Sequence, residues 1–107
     1  MGDFAGILNT GSQNTYIGAQ AQGTTGSNNT CLGYSTNTST YSNSTCLGNG
    51  AVANSSNQVF IGNSSVVSIS ANSNCNLGTS ATPFKVVKAG VGFVVWSTGV
   101  MSIISPS

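Results

Sequence analysis

Through residue 78, apolar residues come singly or in short groups between runs of Asn, Ser, Thr and Gly. No window sustains the 3.6-residue apolar spacing of an amphipathic helix. What recurs is a phrase: a β-forming residue, any residue, Ile or Leu, then Gly. It reads Thr15-Tyr16-Ile17-Gly18, Thr30-Cys31-Leu32-Gly33, Thr45-Cys46-Leu47-Gly48 and Val59-Phe60-Ile61-Gly62, with a worn fifth copy at Cys75-Asn76-Leu77-Gly78. The glycines at 18, 33, 48, 62 and 78 are separated by 15, 15, 14 and 16 residues. Steps this even mark a true repeat.

A period of about fifteen residues is too short for a helical hairpin, whose repeats run to the thirties. It suits one coil of a narrow parallel β-roll, or solenoid: two short strands, two tight turns, and neighbouring coils at the usual strand spacing of about 4.8 Å. The expected fold class is therefore all-β. Gly18, Gly33, Gly48, Gly62 and Gly78 stand where the chain must turn sharply, and glycine takes positive φ freely. The surrounding Asn, Ser and Thr suit turns, because their side chains bond nearby backbone.

Alternation along a strand puts the first and third residues of each phrase on one face and the middle residue on the other. The column Ile17, Leu32, Leu47, Ile61 and Leu77 is expected to form the inner core, beside Thr15, Thr30, Thr45, Val59 and Cys75. Small residues such as Ala19, Ala21, Ala51 and Ala53 would line the opposite wall. The middle column, Tyr16, Cys31, Cys46 and Phe60, would then form an apolar stripe outside the roll. Soluble monomers seldom expose such a stripe, and a roll of five coils buries little by itself. Both points predict an oligomer whose subunit interface is this stripe.

The pattern predicts three regions: a lead-in over 1–12, β-roll repeats over 13–78 and a C-terminal β cap over 79–107. Thr79-Ser80-Ala81-Thr82-Pro83-Phe84 breaks the repeat, and Lys85 to Lys88, Gly92 to Trp96 and Val100 to Ile104 read as short strands. A cap would cover the free strand edges of the last coil.

Composition narrows the function. Only 3% of the 107 residues are charged, namely Asp3, Lys85 and Lys88, and there is no histidine. General acid–base catalysis and His- or carboxylate-based metal sites have almost no groups to draw on, so the expectation is a non-enzyme without cofactor or metal. A net charge of +1 offers no phosphate-neutralising patch, which argues against nucleic acid. With 38% hydrophobic residues the chain also lacks the signature of disorder. Cys31, Cys46 and Cys75 follow no CxxC spacing and read as small buried hydrophobes. Cys31 and Cys46 are expected to stay reduced, since side chains on adjacent in-register strands run parallel and give a poor disulfide torsion. Ala89 to Ile104, the most apolar stretch, is shorter than a membrane helix and carries Ser97, Thr98 and Ser102, so membrane insertion is not expected. Asn28, Asn37, Asn43, Asn54 and Asn63 each begin an N-x-[ST] triplet, a number that composition alone explains.

The phrase N-T-x-[IL]-G at this period resembles the head repeat of trimeric autotransporter adhesins, and similar repeats in fibre proteins of phages and large DNA viruses. The resemblance covers residues 13 to 78 and implies a left-handed parallel β-roll packed as a homotrimer about a threefold axis. Carried over, Thr15/Ile17, Thr30/Leu32, Thr45/Leu47 and Val59/Ile61 occupy the family's Val/Ile positions. Tyr16, Cys31, Cys46 and Phe60 occupy the Ala position between them, where this chain departs by carrying larger residues. The absence of a signal peptide, stalk and anchor from the sequence favours a phage or viral fibre, or a piece of one. The function this implies is structural or attachment: a segment of a trimeric fibre or spike on a virion, phage tail or cell surface, contacting a host glycan or receptor or spacing a binding tip from its base. The alternatives are a homopolymeric filament and an ice-binding β-solenoid. The latter is disfavoured because alternation would place the Thr15, Thr30, Thr45 ladder inside.

Overall fold

The computed structural model describes residues 1–88 and Gly90. It comprises two compact units, Met1–Ser70 and Ala71–Ser107. The first is all-β and contains no helix among the described residues. Its four strands, β1 (Thr15–Ile17), β2 (Thr30–Leu32), β3 (Thr45–Leu47) and β4 (Val59–Ile61), form one parallel sheet in chain order. Registers align phrase on phrase: Tyr16 opposite Cys31, Cys31 opposite Cys46, Cys46 opposite Phe60.

Parallel neighbours need a crossover of a dozen or so residues, usually a helix. Here the crossover is itself paired, with Gln22, Asn37 and Val52 forming a second line of parallel bridges. The chain turns tightly before each strand, where Gln13, Asn28, Asn43 and Asn57 hold φ between 55° and 61°. That left-handed region is uncommon for non-glycine residues but tolerated best by Asn.

Met1–Ser12, expected as a lead-in, stacks on the first repeat. Met1 and Asp3 carbonyls accept from Gly18 and Gln20 at 2.7 and 2.8 Å, and the Gly6 N–H donates to Ala21 at 2.8 Å. At the other end, Cys75–Gly78 forms no strand and falls in the second unit, so the worn fifth copy does not extend the sheet. The expected strand at Lys85 to Lys88 is not formed either. The expected strands Gly92 to Trp96 and Val100 to Ile104 lie outside the described residues. The second unit has a turn at Thr79–Thr82, where the Thr79 N–H donates to the Thr82 carbonyl at 3.2 Å, and an open groove lined by Leu77, Pro83, Phe84 and Val87.

The two faces of the sheet are the reverse of the expected ones. Tyr16, Cys31, Cys46 and Phe60, expected at a subunit interface, point inward: both cysteines are fully buried, and both aromatics pack on the core formed with Ala21, Ala51 and Ala53. Ile17, Leu32, Leu47 and Ile61, expected inside, lie on the outer face and are 38–46% exposed. Leu77 is exposed and outside the sheet. The physical reason is width. Sheet and bridge line are close enough that small groups fill the gap, namely thiols from the sheet and Ala or Thr from the bridge side, with Thr36 and Thr38 also fully buried. The bulkier Tyr16 and Phe60 sit in β1 and β4, at the two ends of the column, and the Tyr16 hydroxyl donates to Asn9 at 3.1 Å.

Candidate functional surface

The repeat displays its outer face in two parallel columns. One is Ile17, Leu32, Leu47 and Ile61; the other is Thr15, Thr30, Thr45 and Val59. Thr15, Thr30 and Val59 are exposed and Thr45 is half-buried. Strand geometry spaces the rows by about 4.8 Å and the two columns by about 6.6 Å. No charged residue occurs between Asp3 and Lys85, so the face is neutral throughout. Alternation groups these residues correctly; that they face outward is the feature the sequence reading missed.

A ladder of side-chain bonds behind the face fixes its spacing. Asn14 accepts the Asn29 N–H at 2.8 Å, and Asn29 accepts the Ser44 N–H at 2.8 Å. Their amide groups donate to the Gly26 and Tyr41 carbonyls at 2.8 and 2.7 Å. Each Asn therefore ties three parts of two successive repeats together, and Asn29 does so fully buried. Ser12, Ser27, Ser42 and Ser56 form a second ladder, each of the first three donating its N–H to the next hydroxyl at 3.0–3.1 Å. The sequence carried a signal for the first ladder: Asn14, Asn29 and Ser44 precede the Thr of each phrase at a strict spacing of 15. The bonds join neighbouring repeats rather than closing local turns.

The glycines are held by conformation and by contact. Gly18, Gly33, Gly48, Gly62 and Gly78 all have positive φ, from 74° to 134°. A Cβ on Gly18 would lie 2.6 Å from the Gly33 carbonyl oxygen, whereas one on Gly48 would find ordinary contact at 3.5 Å.

Reactive groups are few, and two of the three thiols face inward. Cys31 and Cys46 are free thiols, and their Sγ–H groups donate across the core to the Gln22 and Asn37 carbonyls at 3.4 and 3.3 Å. Burial pushes the Cys46 thiol above its ordinary value, and the neighbouring Cys31 adds to the shift. Burial likewise raises the Tyr16 phenol, opposed by the nearby Thr38 side chain. Cys75 is free and exposed. Among the described residues no three His, Cys, Asp or Glu side chains gather as a metal would require. No helix among them is long and apolar enough to cross a membrane. Comparison with known protein families, curated proteins and solved structures finds no match.

Proposed function

We propose that this chain is a structural or attachment segment of a trimeric surface fibre or spike, on a virion, phage tail or cell surface. In this reading the stacked repeats are a β-solenoid, and three chains pack along their outer sheet faces. The supporting observation is that face: an uncharged apolar column, Ile17, Leu32, Leu47 and Ile61, beside Thr15, Thr30, Thr45 and Val59. A contiguous apolar strip rimmed by polar residues marks an interaction site. Burying it against two copies adds the apolar area that so thin a core lacks. No residue is given a catalytic role and no cofactor is required. Contacts with a host glycan or receptor would fall to the polar turns around the stack.

The test is mass in native buffer. The expected result is three times the 10.7 kDa chain, with Leu32→Asp and Leu47→Asp each giving monomer, since a lone charge in a dry interface is costly. A monomeric wild type, or trimeric variants of unchanged stability, overturns the reading. One observation favours a second reading: the threonine ladder is on the outside, the side a flat Thr-rich solenoid would offer to ice. A monomeric wild type with thermal hysteresis selects ice binding instead.

A further inference from the structure

The glycine column shows what lies over each layer of the stack. A Cβ built on Gly18 would meet the backbone of Gly33, one on Gly33 that of Gly48, and one on Gly48 that of Gly62. On Gly62 the series changes. A Cβ there would collide with the side chain of Val66, just past it in the same chain. The place that the next repeat takes in the layers below is filled here by Val66.

Asn63 turns the chain off the repeat path. In the layers below, the Asp3, Ala19 and Tyr34 carbonyls accept the backbone N–H groups of Gln20, Ser35 and Gly50 at 2.8–2.9 Å. The next carbonyl of that column, on Asn49, accepts the Asn63 side-chain Nδ2 instead, at 2.8 Å. Asn63 Oδ1 accepts the Ser65 N–H at 2.8 Å, and its carbonyl accepts the Val66 N–H at 3.1 Å. An Asn side chain that bonds the backbone two residues on makes a tight local turn, and this one sets Val66 over Gly62. The turn belongs to the same compact unit as the sheet. It follows β4, the last strand of that sheet. Unpaired groups on a last strand are a template for another chain, and a covering loop is one way to protect them.

We propose that the Asn63–Val66 turn is a built-in stop: it fills the next glycine position with Val66 and so keeps β4 from pairing with β4 of a second copy. The pairing it prevents is antiparallel about a twofold axis. Such a contact uses the same strand on both copies and closes after two. The stop goes beyond the lateral trimer and does not depend on it, because the outer sheet face takes no part.

The test is mass in native buffer over a range of concentrations, on the whole 107-residue chain. The wild type should keep one mass throughout. Val66→Gly empties the position over Gly62, and Asn63→Ala removes both side-chain bonds. Each should shift, as concentration rises, to twice the wild-type mass. Val66→Thr keeps the branched shape and should stay at the wild-type mass. Circular dichroism reports whether each variant keeps the wild-type fold. Should Val66→Gly lose it, Val66→Ala, which removes less, decides in its place. Folded Val66→Gly or Val66→Ala protein that holds the wild-type mass at every concentration overturns the proposal. So does a wild type that doubles, or a Val66→Thr protein that doubles as Val66→Gly does. Loss of the fold in Val66→Ala as well would make the turn part of the core rather than a stop, and overturns it too. Every mass is read as a multiple of the wild type's, so failure of the trimer reading leaves this test intact.

Discussion

Asn29 shows how much one side chain holds in this molecule. It is almost fully buried, accepts the Ser44 N–H and donates to the Tyr41 carbonyl. Asn29→Ala leaves both backbone groups in the interior without partners, and each orphaned group costs about 1–3 kcal/mol. The expected loss is about 2–5 kcal/mol, read as a drop in urea midpoint. Asn29→Asp keeps the acceptor but sets a second oxygen against the Tyr41 carbonyl, so it should be at least as damaging at neutral pH. Thr25→Ala, at an exposed position, should stay within about 0.5 kcal/mol of the wild type. Equal midpoints for the Asn29 and Thr25 variants would show that the ladder is not what joins the repeats.

At the scale of the elements, strand placement was legible and strand orientation was not. The recurring phrase locates β1 to β4 residue for residue, because period and turn glycines are both written in the chain. Alternation ties Ile17 to Thr15 and opposes both to Tyr16, but it is symmetric about the sheet and does not say which face is inside. Choosing the larger aliphatics as core assumed an interior wide enough for them. The pairing of Cys31 and Cys46 with Ala21, Ala51 and Ala53 reflects a narrower one. The fifth phrase failed for a related reason: its middle residue is Asn76, which offers the core a polar side chain where Tyr, Cys or Phe stands in the other four. The glycine column gives this tight stacking a measurable form. Gly18→Ala meets both an unfavourable φ and the Gly33 carbonyl, whereas Gly48→Ala meets the unfavourable φ with room for its methyl group. Backbone strain of this kind costs about 1–3 kcal/mol. Gly48→Ala should fall in that range and Gly18→Ala beyond it. Equal unfolding midpoints for the two variants would mean that the repeats relax apart easily.

For the whole molecule, the scarcity of charge sets the response to pH. Acid unfolds most proteins by protonating carboxylates that are paired in the native state. Here Asp3 is the one carboxylate side chain, so the acid limb should be nearly flat. The alkaline limb should not be. Burial raises the Cys46 thiol above its ordinary 9.0 and the Tyr16 phenol above its ordinary 10.0. In the window between ordinary and raised values, the unfolded chain has released protons that the folded chain still holds. The folded state binds more protons there, and stability falls as pH rises. The contribution is complete below the ordinary values and is lost as pH passes through the raised ones. A urea midpoint measured across pH should thus be level through acid and neutral conditions and decline in the alkaline range, starting near the ordinary thiol value. Cys46→Ala should weaken the first part of that decline and Tyr16→Phe the later part. Added salt should change little, since exposed charges are what salt screens and none lies between Asp3 and Lys85. A midpoint that drops steeply in acid, or an alkaline decline identical in both variants and the wild type, would place the controlling groups outside this core.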